Sequence, residues 1–203
     1  MRKTILSLCC LGLFTVSTYA QNEDESPVSI YLGGLIALPS SDGFSHSYDE
    51  GYHAFAGIGG NLSDEFHLIG KAEYTEFDLA TSNSDPFDGN GLSIWSFGGD
   101  LRYALGSDNT AKLRPFLLGG VGVAVVDFAN THSNVNIDVD NNNNQFPLTD
   151  RPNDEKFYYN VGVGMELTAS ENFGLFIQGR YVSIATTGEN MSYVPISLGL
   201  RIF

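Results

Sequence analysis

Both cysteines of this 203-residue chain, Cys9 and Cys10, fall within its first ten residues, and none follows. Disulfides are thereby excluded as what holds the rest of the chain together, and no metal clip is evident in their place. Cations are scarce: ten Lys and Arg stand against 24 Asp and Glu. That balance excludes nucleic acid as a partner, because phosphate binding needs a basic face. Long apolar runs are missing too. After Ala20 nothing reaches the eighteen or so consecutive apolar residues of a membrane-spanning helix. This last absence does not exclude the membrane, since a β-strand crosses it with about 9–11 residues of alternating character.

What is present begins with an export signal. Arg2 and Lys3 form a short positive segment, Ile5 to Val16 an apolar run, and Thr18-Tyr19-Ala20 a small-residue cleavage pattern before Gln21. An acidic stretch, Asn22 to Ser26, follows. A lipoprotein signal built on Cys9 fits poorly, because Leu8 stands where a small residue belongs. We therefore expect residues 1–20 to be a cleaved signal peptide and residues 21–203 to form a single domain. Cleavage would remove Arg2 and Lys3 and no acid, leaving eight Lys and Arg against 24 Asp and Glu, a formal charge of −16. Closing a β-sheet on itself is one way for a small domain without cross-links to leave no edge unpaired.

Eight segments carry β-type patterning: 28–38, 51–62, 66–79, 91–105, 113–128, 157–168, 173–186 and 192–203. The connections alternate between long and short. Ser63-Asp64-Glu65, Gly106 to Lys112 and Ala169 to Asn172 are short; Pro39 to Glu50, Ala80 to Asn90 and Ala129 to Lys156 are long. The final connection, Thr187 to Met191, belongs by position to the long class but is shorter. Such a rhythm predicts an all-β, eight-stranded antiparallel up-and-down transmembrane barrel, with short periplasmic turns, longer external loops and both termini on the periplasmic side.

Within the segments two faces separate. Trp95, Phe97, Leu101 and Tyr103 oppose Ser96, Gly98, Asp100 and Arg102; Phe157, Tyr159, Val161, Val163 and Met165 oppose Tyr158, Asn160, Gly162, Gly164 and Glu166. Likewise Leu68, Ala72 and Tyr74 oppose His67, Lys71, Glu73 and Thr75, and Leu175, Ile177 and Tyr181 oppose Gln178 and Arg180. A soluble lipocalin-like barrel has the same period with the faces reversed. The polar face here is rich in glycine and poor in charge, and aromatics gather near strand ends, so the apolar face is read as facing lipid. Tyr52, Trp95, Tyr159, Tyr181 and Tyr193 would mark the outer interface, and Phe66, Tyr103, Phe116, Phe173 and Phe203 the inner one.

With the signal segment, the eight-strand rhythm, the stretch Arg114-Pro115-Phe116-Leu117-Leu118-Gly119-Gly120-Val121-Gly122 and the ending Pro195 to Phe203, the sequence resembles small outer-membrane β-barrels of the OmpA membrane-domain and OmpX type. The resemblance spans residues 21–203. It implies a bacterial outer-membrane location, contact with outer-membrane lipids and lipopolysaccharide, and reading of the terminal aromatic Phe203 by the barrel-assembly machinery. One departure is visible: Val194, Ile196, Leu198, Leu200 and Ile202 form the apolar face, which leaves Phe203 out of phase with it.

The inward face carries Lys71, Glu73, Asp100, Arg102, Glu166, Arg180 and Arg201, with Gln178, Tyr158 and Asn160 nearby. An eight-stranded barrel is just wide enough to be filled by side chains, and charges buried there need partners. We expect these residues to form a charge network that plugs the lumen; the alternative is a narrow, porin-like ion path. In the large loop, Asp138, Asp140 and Asn142 alternate as calcium ligands do. Asn143 and Thr149, however, stand where the calcium-loop pattern requires Gly and Glu. His132-Ser133-Asn134 echoes a pattern of lipid A deacylases but is one residue short and lies in that loop rather than on a strand. His53 and His67 stand alone on their strands. No catalytic residue, metal or cofactor is therefore expected. The loop 129–156 is the place to look for an external ligand or host surface.

Overall fold

The computed structural model describes residues 28–79, 91–106, 112–128, 154–170, 172–186 and 190–203. The expected signal segment lies outside them, as do the calcium-like and deacylase-like motifs of the large loop. Eight strands close into one barrel in sequence order: β1 (Val28–Pro39), β2 (Tyr48–Asn61), β3 (Phe66–Leu79), β4 (Leu92–Ala104), β5 (Leu113–Phe128), β6 (Asp154–Thr168), β7 (Phe173–Ile184) and β8 (Met191–Ile202). Every pairing is antiparallel, and β1 closes the ring by pairing with β8 from Ile30↔Ile202 to Pro39↔Tyr193. The predicted architecture is the observed one. Two strands reach further toward the loop end than their alternation indicated: β2 begins at Tyr48 and β6 at Asp154. The first long loop also holds a six-residue helix, α1 (Asp42–Ser47), that the sequence pattern did not reveal.

The direction of the two faces is settled by exposure. Val163 is 61 % exposed and Trp95 49 %, while Glu73 is 2 % and Arg180 1 % exposed. A water-soluble protein does not present a continuous belt of exposed Leu, Val, Phe and Trp around its whole circumference. The belt is a lipid-facing surface, and the polar side chains fill the lumen.

The lumen is layered, and β3 reads through the layers in one strand. Phe77 belongs to an apolar cap at the loop end, with Leu92, Ile94, Val126, Ile184 and Tyr193; Phe44 of α1 closes it, its ring 4.9 Å from that of Phe77. Below come Glu73 and Lys71 in a charged layer. Ile69 then lies in a second apolar layer with Tyr31, Phe116, Leu118 and Phe176, and His67 in a second polar one. Small inward residues make room for the large ones. A methyl group at Gly120 would stand 1.9 Å from Asp100 Oδ1, and one at Gly164 would stand 2.3 Å from Phe116 Cζ. The glycines of the polar face are therefore space left for side chains of facing strands.

Two aromatics assigned to the interfaces face the other way. Tyr193 and Phe116 are each 1 % exposed, in the lumen, because they share strand parity with Arg201 and Leu118 respectively. Phe203 also turns inward: the Arg201 guanidinium carbon sits 4.4 Å from its ring centre, and its backbone N–H donates to Asn172 O at 3.0 Å. Tyr52, Trp95, Tyr159, Tyr181, Phe66 and Phe173 do stand on the outer surface.

Candidate functional site

The seven charged residues singled out in the sequence are all buried in the lumen, and they fall into two clusters rather than one. The middle cluster joins β3, β4 and β7. Lys71 Nζ lies 2.5 Å from Glu73 Oε1 and 2.6 Å from Asp100 Oδ2. Arg180 crosses the lumen from β7 and grips the same Glu73 with both terminal nitrogens, at 3.0 and 2.6 Å. Asn160 donates its amide to Asp100 Oδ1 at 2.9 Å. Two cations thus meet two carboxylates, and paired donors replace the water each ion lost.

His53, which looked solitary in sequence, belongs to this cluster. Its Nε2 is 3.0 Å from Arg180 Nη2 and its Nδ1 is 2.9 Å from Thr75 Oγ1. An arginine N–H can only donate, so Nε2 accepts and the ring proton sits on Nδ1, donated to the threonine hydroxyl.

The second cluster lies at the short-turn end, the periplasmic mouth. Glu166 is its single described carboxylate. Arg102 Nη2 approaches one of its oxygens at 2.5 Å and Arg201 Nη1 the other at 3.3 Å. Arg201 also donates from Nε to Ser29 Oγ at 3.2 Å and from Nη2 to Asn61 Oδ1 at 3.3 Å, with His67 Nδ1 3.4 Å away. The Arg102 guanidinium stacks on the Phe116 ring, 3.6 Å from its centre, so the apolar layer supports it from above.

A third guanidinium belongs here that sequence reading missed. Arg114 stands directly across from Glu166 in the β5–β6 register, on the inward parity of Phe116 and Leu118. Reading Phe116 as an interface aromatic had turned this strand's faces around at that end. The outward run Leu113, Leu117, Val121 and Val123 carried the correct signal. Between the clusters lies a cavity of about 20 Å³ lined by Tyr31, Lys71, Asp100, Arg102 and Gln178, among others. It has room for about one water molecule.

A closed eight-stranded barrel with an apolar belt outside and paired charges inside is an integral outer-membrane protein. The comparisons give the family. Residues 6–201 match the outer membrane protein beta-barrel domain, and the chain belongs to that family and resides in the bacterial outer membrane. No curated protein matches it significantly. Among solved structures it is similar to Neisserial surface protein A, at 15 % identity over 87 % of this chain and 97 % of that one, with a TM-score of 0.59. It is also similar to OprG from Pseudomonas aeruginosa, at 13 % identity over 88 % and 96 %, with a TM-score of 0.50. At these identities the likeness is one of fold.

Proposed function

We propose that the chain is a non-enzymatic envelope barrel whose lumen is closed and whose activity lies in its external loops. The filled cross-section carries this reading. Arg180, Tyr158, Tyr193, Phe77 and Phe116 are all fully buried between the strands, and a space the size of one water is not a path for hydrated ions. Such a barrel supports the outer leaflet through its lipid-facing belt, against phospholipid and lipopolysaccharide, and presents the loop 129–156 to an external ligand or host surface. Phe203, as the final aromatic of β8, serves in this reading as the mark read by the assembly machinery.

Planar-bilayer recording tests the closed lumen. The refolded protein is expected to give no discrete conductance steps. Reproducible steps whose size changes in Arg102→Ala would overturn the plug and establish a channel. Binding assays with a variant lacking residues 130–155 test the loop, since binding that survives the deletion would place the ligand site elsewhere. Lipid A mass spectra from cells with and without the gene should be identical, and a lost or gained acyl chain would make the protein an enzyme.

A further inference from the structure

We propose that the periplasmic mouth of the barrel is a binding site for a phosphate-type oxyanion, held by Arg102, Arg114 and Arg201. Arg102 and Arg201 pair with one carboxylate, Glu166, and Arg114 stands across from it in the strand register, which leaves an excess of two positive side-chain charges among the described residues. The other described carboxylates at this end, the side chains of Asp64 and Glu65 and the α-carboxylate of Phe203, come within ion-pair distance of none of the three. Several N–H donors there are enclosed yet unused, Arg102 Nε, Arg114 Nε and Arg114 Nη2, as Arg180 Nε is in the middle cluster; what sets the mouth apart is that they belong to cations in excess, and Arg102 is only 5 % exposed.

Unpaired cations in a lumen are costly, and each unused guanidinium donor adds its own desolvation penalty. The middle cluster shows that this fold can balance its charges, because there two cations meet two carboxylates. The excess at the mouth is what an anion from outside would neutralise. A monocarboxylate would leave one charge unmatched, whereas a phosphate dianion cancels both and offers oxygens to several guanidiniums at once. Space is open on the β7 side of Glu166. A methyl group added at Gly174, beside Glu166, would keep at least 3.4 Å from every neighbour, against 1.9 Å at Gly120 in the middle layer.

The test is a titration of inorganic phosphate into the refolded full chain in zwitterionic nanodiscs, followed by the arginine Nε–Hε resonances. Sodium chloride at matched ionic strength serves as the control. Saturable shifts of the Arg102 and Arg114 signals are expected with phosphate and not with chloride. Arg114→Gln should weaken the apparent affinity by about tenfold, one charge-assisted contact's worth. Heat-modifiable gel mobility confirms that the variant is folded. Repeating the titration in nanodiscs containing phosphatidic acid separates sources: signals already shifted without added phosphate identify a lipid headgroup as ligand, and unshifted signals identify free phosphate. Absence of saturable shifts, equal shifts with chloride, or an affinity unaffected by Arg114→Gln would each overturn the site.

Discussion

The two charge clusters of the lumen use the same residue types at similar burial, yet they are balanced differently. In the middle, Lys71 and Arg180 share Glu73 and Asp100, and each carboxylate lies within ion-pair distance of both cations. At the mouth, Arg102 and Arg201 divide one Glu166 between them while Arg114 looks on. Position along the barrel explains the contrast. The middle layer lies between two apolar layers, so its charges must be satisfied from within. The mouth cluster has an apolar layer on one side only and the short-turn end of the barrel on the other, so an ion from outside has a shorter way to what the protein leaves unbalanced.

The largest expected effect breaks that contrast directly. Arg180→Met leaves Glu73 and Asp100 with Lys71 alone and should destabilise the barrel by about 3–5 kcal/mol, the cost of opening a buried pair. Arg102→Met makes the same chemical change at the mouth but removes one charge of an excess, so the loss should stay within about 1 kcal/mol. Urea unfolding in lipid vesicles, followed by the fluorescence of Trp95, the only tryptophan, measures both. Equal losses would show that the two clusters do not differ energetically.

A smaller pair of changes probes packing rather than charge. Gly120→Ala drives a methyl into Asp100 Oδ1 and Gly99 O and should cost about 1–3 kcal/mol by overpacking. Gly174→Ala meets only ordinary contacts near Glu166 and should be neutral to within about 0.5 kcal/mol. The same unfolding assay ranks them, and a neutral Gly120→Ala would mean that the middle layer yields as easily as the mouth.

Much of this was legible in sequence, because a strand's two-residue period writes its faces directly into the chain. Alternation placed Asp100 and Arg102 on one face of β4 and Glu166 on the matching face of β6, and both face the lumen. What alternation cannot supply is who meets whom across the lumen. Glu73 and Arg180 are 107 residues apart on strands that are not neighbours, and their contact depends on how the closed barrel staggers its strands. For the same reason His53 looked solitary until Arg180 reached it. Arg114 and Tyr193 were lost differently. Aromatic residues near strand ends suit an interface and a lumen equally well, and only the parity of the aliphatic residues around them decides. The position of Phe203 out of phase with the apolar face has a physical counterpart, since its ring lies against Arg201 inside the mouth.

The smallest effect concerns the excess charge itself. Like charges held close repel, and salt screens that repulsion where solvent reaches the groups. Raising sodium chloride should therefore raise the unfolding midpoint of the parent protein, although the acidic exterior, with 24 Asp and Glu against ten Lys and Arg over the whole chain, contributes to the same trend. Arg114→Gln separates the two sources, because it removes a cation from the mouth and makes the overall charge more negative. If exterior repulsion dominated, the variant would gain more from salt than the parent. If the mouth dominates, it should be slightly more stable at low salt, by less than about 1 kcal/mol, and gain less as salt is added. The slope of midpoint against salt concentration, parent against variant, reads the sign. A steeper slope in the variant would show that the guanidinium excess is already neutralised within the protein.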